Sequence, residues 1–257
     1  MAPPKAEAFR LDGKVALITG AAKGLGAGIA VMLARQGADI AISDKPGASL
    51  AATEQQARAF GHRVFTFELD VRDLSQWAAQ KTAIRKELGI IGILVNNAGI
   101  NRPAPGLQLT ESEWDDHFAT NARGGFFLAQ QIAPEMMEQR WGRVIWISSQ
   151  AGLVGVPGQP AYCSSKGAVV QLVRTLGVEW AKHGITVNSV APTFVETDLT
   201  RERLRRPEFL QFVLNKIPAG ELATAEDVAA AVAFLASEEA RMVNCHNLCV
   251  DGGWTAW

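Results

Sequence analysis

Tyrosine occurs once in these 257 residues, and cysteine three times. Cys163, Cys245 and Cys249 are too few for a disulfide framework, which points to a reducing, cytoplasmic setting. Cys245, His246 and Cys249 offer three candidate ligands crowded at one strand edge, so no metal site is expected. A surplus of one charge is missing too. The formal net charge of −1 gives no field that would gather nucleic acid or an anionic membrane. The longest uncharged run, 144–165, is interrupted by glycines and prolines and does not span a bilayer. No signal-peptide pattern opens the chain, and residues 1–10 read as a flexible Pro/Ala-rich tail. No repeat, charge block or linker divides the remainder. The expected partner is therefore a small molecule.

What is present is a globular composition, 48% hydrophobic and 20% charged, with enough chain for one large domain over 11–257. Short apolar runs rich in branched residues fall at 14–19, 39–43, 63–69, 91–95, 143–147, 185–190 and 247–250. Between them lie helical patterns at 27–36, 49–60, 75–88, 111–139, 161–183, 201–216 and 225–236. Continuous apolar strands alternating with helices predict a parallel sheet covered on both faces. The expectation is an α/β fold, a single Rossmann-type doubly wound domain of about seven strands.

The first strand runs into Gly20, Gly24 and Gly26, with Lys23 and Leu25 between them, and then into a helix. The spacing is not G-x-G-x-x-G, yet the physics is shared. Glycines let backbone approach a pyrophosphate, and a helix N-terminus offers unpaired N–H groups. Asp44 ends the second strand, where a carboxylate accepts from a ribose hydroxyl and repels a 2′-phosphate. That favours NAD, while Lys23 and Lys45 leave NADP open. Tyr162 and Lys166 stand one helical turn apart, so an ammonium beside the phenol is expected to lower its pKa. Taken alone, the pair also reads as an ordinary surface helix.

Together, Thr19-Gly20-x-x-x-Gly24-x-Gly26, Asn96-Asn97-Ala98-Gly99, Ser149 thirteen residues before Tyr162, and Tyr162-x-x-x-Lys166 resemble the short-chain dehydrogenase/reductase family. The likeness runs from about Leu11 to the end. It implies a general acid/base at Tyr162, supported by Lys166, which also holds the nicotinamide ribose. Ser149 is implied to bind the substrate oxygen, and Asn121 to order a water leading from the lysine to solvent. It further implies a cofactor groove lined by Gly20, Lys23, Gly24, Leu25, Gly26 and Asp44. Asp70 and Val71 would flank the adenine, Asn97, Ala98 and Gly99 would run along the cofactor, and Val195 and Thr197 would meet the carboxamide. Thr193 stands where the family usually has glycine, so that loop is expected to differ. A homotetramer is implied, with Trp254 and Trp257 at subunit interfaces.

The resemblance predicts hydride transfer between a nicotinamide cofactor and a secondary alcohol or ketone. Asp44, the polar candidates Gln150, Gln159 and Arg102, and the ending 251–257 suggest a sugar, polyol or sugar-acid dehydrogenase, with Arg102 pairing a substrate carboxylate. The alternative is a 3-oxoacyl-[acyl-carrier-protein] reductase using NADPH and docking its carrier on Arg140 and Arg143. A third reading is a dinucleotide-binding regulator without turnover. Residues 193–222, with Arg201, Arg203, Arg205 and Arg206, are expected to form a lid over the substrate.

Overall fold

A computed structural model describes residues 8–75, 77–198 and 200–256. Residues 1–7 of the expected tail and Trp257 lie outside them. Seven parallel strands form one sheet in the order β3-β2-β1-β4-β5-β6-β7. These are β1 (Val15–Thr19), β2 (Asp39–Asp44), β3 (Val64–Glu68), β4 (Ile91–Asn96), β5 (Gly142–Ile147), β6 (Ile185–Pro192) and β7 (Asn247–Val250). The helices between them are α1 (Gly24–Arg35), α2 (Ala51–Arg58), α3 (Trp77–Glu87), α4 (Glu111–Phe118), α5 (Gly124–Gln139), α6 (Pro160–Trp180), α7 (Arg201–Leu204), α8 (Pro207–Lys216) and α9 (Ala225–Ala236).

Successive strand residues point to opposite faces, and both faces are apolar. Ala16 and Ile18 of β1 pack with Ile29 and Leu33 of α1 and Val228 and Val232 of α9. Val15 and Leu17 face the other way, onto a layer holding Trp77 of α3, Leu128 of α5 and Val169 of α6. This explains the unbroken apolar strand runs. The strand order reverses between β1 and β4. A crevice for a ligand opens at the carboxyl ends of strands flanking such a switch point.

The stretch 111–139, one helix or two by its pattern, is two helices joined by a π-helical turn, Ala119–Arg123. Gly124 and Gly125 do not break the helix; they let it lie on the sheet. A Cβ at Gly124 would stand 2.3 Å from the Val71 carbonyl oxygen. The charged stretch 201–216 also divides, because Pro207 starts a new helix at its first position.

Two expected surface residues are interior. Arg143, anticipated at a carrier-docking surface, is buried at the start of β5. Its guanidinium donates to the Ser237 carbonyl and pairs with Glu238, and it lies over the Trp141 ring. Burial pushes its pKa down. Trp254, anticipated at a subunit interface, packs instead with Leu204, Val213 and Ile217. An indole has more to gain against these apolar side chains than in water. Of the ending 251–257, read as a substrate signature, the described residues 251–256 form a turn. Asp251 accepts from the Gly253 and Thr255 amides at 3.0 and 2.9 Å, and Ala219 donates to the Gly252 carbonyl at 3.0 Å.

Candidate active site

Tyr162 lies in the first turn of α6, which Pro160 starts at its first position. Lys166, one turn later, is buried and donates to the Ile147 carbonyl at 2.7 Å. Its nitrogen is 5.7 Å from the centre of the Tyr162 ring. The chain after β5 turns under this helix as a 3₁₀ turn, Gln150–Gly152, capped by Ser149. Ser149 Oγ accepts from Ala151 N–H at 3.1 Å and donates to Gln150 Oε1 at 3.2 Å. Close packing needs Gly152, where a Cβ would stand 2.8 Å from the Lys166 carbonyl oxygen.

Asn121 sits in the π-helical turn, a geometry common at functional sites. Its Oδ1 accepts from Ile100 N–H at 2.8 Å. Its Nδ2 donates to the Ile100 carbonyl and to Ser165 Oγ, each at 3.0 Å. A Cβ at Gly99 would be 3.2 Å from Asn121 Oδ1 and 3.5 Å from Lys166 Nζ. Asn121, Ser149, Tyr162 and Lys166, separated in sequence, therefore gather at the ends of β4 and β5.

Burial sets the protonation here. It draws Lys166 down to about 8 from its ordinary 10.5. It pushes the Tyr162 phenol above its ordinary value of 10, and a hydrogen bond with Ser149 pulls the other way. The sequence led us to expect the opposite sign for Tyr162. The lysine charge does not prevail, because desolvation weakens the charged form of both groups and the ammonium is turned onto a carbonyl.

The glycine turn and the turn after β4 are locked together. Asn97 Nδ2 donates to the Thr19 and Gly20 carbonyls at 3.0 and 2.9 Å, and Thr19 Oγ1 accepts from the Asn97 and Ala98 amides at 3.2 and 3.1 Å. A Cβ at Gly20 would stand 2.8 Å from Ala98 Cα, and one at Gly26 2.2 Å from the Gly20 oxygen. Gly20 and Gly24 have φ of 66° and 60°, which side chains disfavour. Lys23 precedes α1 with no side-chain cap, so the first amides keep their donors for an anion. The cradle therefore fits a dinucleotide.

Asp44 accepts from the Ala22 and Lys45 amides at 2.9 and 2.8 Å, which uses two of about four lone-pair positions. Leu25 packs on the core beneath the turn. Asp70 is bound by Arg72, which holds its carboxyl below the usual range, and Val71 is buried beside it. After β6, Val195 bridges to Ala223, and Thr197 lies over Gly24, 3.5 Å from where a Cβ would be. Lys23 pairs with Asp198 at 2.8 Å. Thr193 departs from the expected glycine, yet its N–H donates to the Val250 carbonyl in line with β6, while its hydroxyl is buried without a partner.

The substrate candidates divide. Gln150 and Gln159 are buried, one next to Ser149 and the other three residues before Tyr162. Arg102 is not free: its guanidinium pairs with Asp116 at 2.7 Å, and its amide donates to His117 Nε2 at 3.1 Å. Sequence reasoning missed Asn101, whose Nδ2 donates to Gln159 Oε1 at 2.8 Å. Its only sequence signal is its place two residues after Gly99.

The enoyl-(acyl carrier protein) reductase family model matches residues 20–255. The D-threitol dehydrogenase of Mycolicibacterium smegmatis is 40% identical over 249 residues, covering 96% of this chain and 95% of that protein. The 2-dehydro-3-deoxy-D-gluconate 5-dehydrogenase of Dickeya dadantii is 38% identical over 252 residues, covering 96% and 98%. Among solved structures, a gluconate 5-dehydrogenase from Burkholderia cenocepacia in complex with NADP and tartrate superposes with a TM-score of 0.92. It is 35% identical, over 97% of this chain and 98% of that one.

Proposed function

The chain belongs to the short-chain dehydrogenase/reductase family, an oxidoreductase of secondary alcohols and ketones, and from that premise we propose an NAD-dependent dehydrogenase of a polyol, sugar or sugar acid. The convergence of Tyr162, Lys166, Ser149 and Asn121 beside the glycine cradle carries the reading. The relatives named for threitol and gluconate support the substrate class.

A bound nicotinamide supplies the hydride acceptor or donor. Gly20, Gly24 and Gly26 would admit its pyrophosphate, Asp44 its adenosine ribose, and Val195 and Thr197 its carboxamide side, with Asp70 and Val71 at the adenine. In oxidation, ionised Tyr162 takes the alcohol proton as the hydride leaves carbon; in reduction, the phenol gives that proton back. Ser149 donates to the reacting oxygen as charge develops on it. Lys166 sets its ammonium 5.7 Å from the centre of the Tyr162 ring, on the same helix face. Asn121 holds the loop at Ile100 against α6 and keeps that geometry.

Asp44 favours NAD over NADP, although at least three structural relatives were solved with NADP. Residues 193–222 form the lid, seated on the apolar cluster of Phe194, Phe209, Val213 and Trp254. The exposed faces of α5 and α6 enclose a groove of about 590 Å³ lined by Phe126, Leu172 and Trp180, which suits a homotetramer interface. We place the enzyme in the cytoplasm, and no described helix is long and apolar enough to cross a membrane. The carrier-protein reductase reading loses Arg143, which is buried. Assay of polyols, aldoses, aldonates and a 3-oxoacyl thioester with NAD(H) and NADP(H) tests the proposal. Turnover of the thioester alone, with NADPH, overturns it.

A further inference from the structure

Two amide side chains bridge the loop after β4 and the start of α6. Asn101 Nδ2 donates to Gln159 Oε1 at 2.8 Å, and Gln159 stands three residues before Tyr162. Gln159 is buried, and so is Asn101 Oδ1, which has no hydrogen-bond partner. A buried acceptor left unanswered costs stability that a partner would return, so it asks for one. Turning both amides over does not remove the demand; it leaves a donor of Asn101 unanswered instead. The loop itself is fixed. Asn121 clamps Ile100, and His117 takes the Arg102 amide, so Asn101 is held between two anchored neighbours.

The cation next to Asn101 in the chain is occupied: Arg102 pairs with Asp116, which Arg72 also holds. A neutral amide pair with both donors and acceptors matches hydroxyl groups. A carboxylate would want the guanidinium that Asp116 has taken.

We propose that Asn101, with Gln159, reads a substrate hydroxyl beyond the reacting carbinol, and thereby selects a neutral polyol over a sugar acid. The proposal rests on the dehydrogenase reading above. It makes Asn101 a specificity residue that touches substrate.

The test uses the full chain with NAD and three substrates: a linear polyol, the aldonate of the same length, and a secondary alcohol with no other hydroxyl. Wild type should favour the polyol over the aldonate by roughly tenfold or more in kcat/KM. Asn101→Ala should lower kcat/KM on the polyol by roughly 10- to 100-fold and leave the plain alcohol within about twofold. NAD affinity, read by fluorescence titration, should not move. Asn101→Asp keeps the shape but sets an oxygen against Gln159 Oε1; it should act in the same direction and depress the aldonate further. A wild-type preference for the aldonate overturns the proposal. So does an unchanged polyol-to-alcohol ratio in both variants, or an equal loss on all substrates with weakened NAD binding. If wild type turns over neither polyol nor aldonate, the dehydrogenase reading has failed, and the assignment of Asn101 falls with it.

Discussion

The Lys166 ammonium donates to the Ile147 carbonyl across 2.7 Å, joining the last residue of β5 to the helix that carries Tyr162. One carbonyl is poor compensation for the water an ammonium loses, and the pKa of Lys166 falls to about 8 from 10.5. Between those values the unfolded chain keeps a proton that the folded chain has released. Stability owed to this group therefore rises with pH across that window, by up to something on the order of 3 kcal/mol. Denaturant unfolding of wild type and Lys166→Met should show the variant's advantage shrinking from pH 8 to pH 10. Parallel pH curves would contradict the lysine's displaced titration.

Tyr162 carries the opposite sign. Its pKa is raised, so its contribution is complete below pH 10 and is lost as pH climbs through the higher folded value. Because it is the only tyrosine, phenolate absorbance reports it directly. The cofactor-free protein should titrate above 10, and Ser149→Ala should push the midpoint higher by removing an opposing hydrogen bond. Alcohol oxidation, which needs the ionised phenol, should therefore quicken toward alkaline pH, while reduction persists at neutral pH. Tyr162→Phe should cut kcat by at least ~10²–10⁴-fold with NAD affinity intact. A variant of near-normal rate would remove Tyr162 from the mechanism.

The proposed preference for NAD rests on Asp44. Its carboxylate is fixed by the Ala22 and Lys45 amides and faces the glycine turn. Asp44→Ala should erode the NAD-to-NADP ratio of kcat/KM by roughly tenfold or more, since both a ribose acceptor and a repelling charge are lost. Lys45 then remains as an exposed cation for a 2′-phosphate. An unaltered ratio would mean that another group makes the choice.

The fold was legible because its chemistry is local. Apolar strand runs, the glycine turn and the Tyr162–Lys166 spacing each declare themselves within a few residues. Signs of interaction were not. The phenol's upward shift depends on how β5, the Gln150–Gly152 turn and α6 close around it, which no spacing reveals. Arg102 looked available because Asp116, fourteen positions away, approaches it only through the fold of the intervening loop and α4. Trp254 looked exposed because its partners Leu204 and Val213 belong to a segment that sequence could name only as a lid. Asn101 left no mark, since an asparagine after a turn is ordinary until its acceptor is found buried and unmatched.

Gly26 tests the cradle. A methyl there would meet the Gly20 carbonyl oxygen at 2.2 Å and Asn97 Nδ2 at 2.5 Å, and neither can withdraw without opening the turn. Gly26→Ala should weaken NAD binding by roughly tenfold or more and cost about 1–3 kcal/mol of stability through the forced backbone shift. Gly47→Ala is the control. It has the positive φ of 82° that Gly26 lacks, but nothing lies within 4 Å of the added carbon, so its backbone strain should leave NAD affinity alone. Equal effects of the two on NAD binding would deny the cradle its role.

Trp254 separates a lid support from a subunit contact. Its ring lies 5.7 Å from Phe194 and 6.4 Å from Phe212, over the small cluster that also holds Val213 and Ile217. Trp254→Ala removes a side chain whose loss from a core costs ~3–5 kcal/mol, but this cluster is a satellite of the main core. The loss should therefore appear as local opening of 193–222 rather than as global unfolding. Trypsin should cut sooner in the arginine-rich stretch 201–206, and kcat/KM for substrate should fall roughly tenfold as the lid loses its seat. NAD affinity should fall less than kcat/KM, because Val195 and Thr197 loosen with the segment while the glycine turn and Asp44 stay in place. Sedimentation should show the same assembly as wild type; dissociation into smaller species, with the lid still resistant to trypsin, would return Trp254 to the interface.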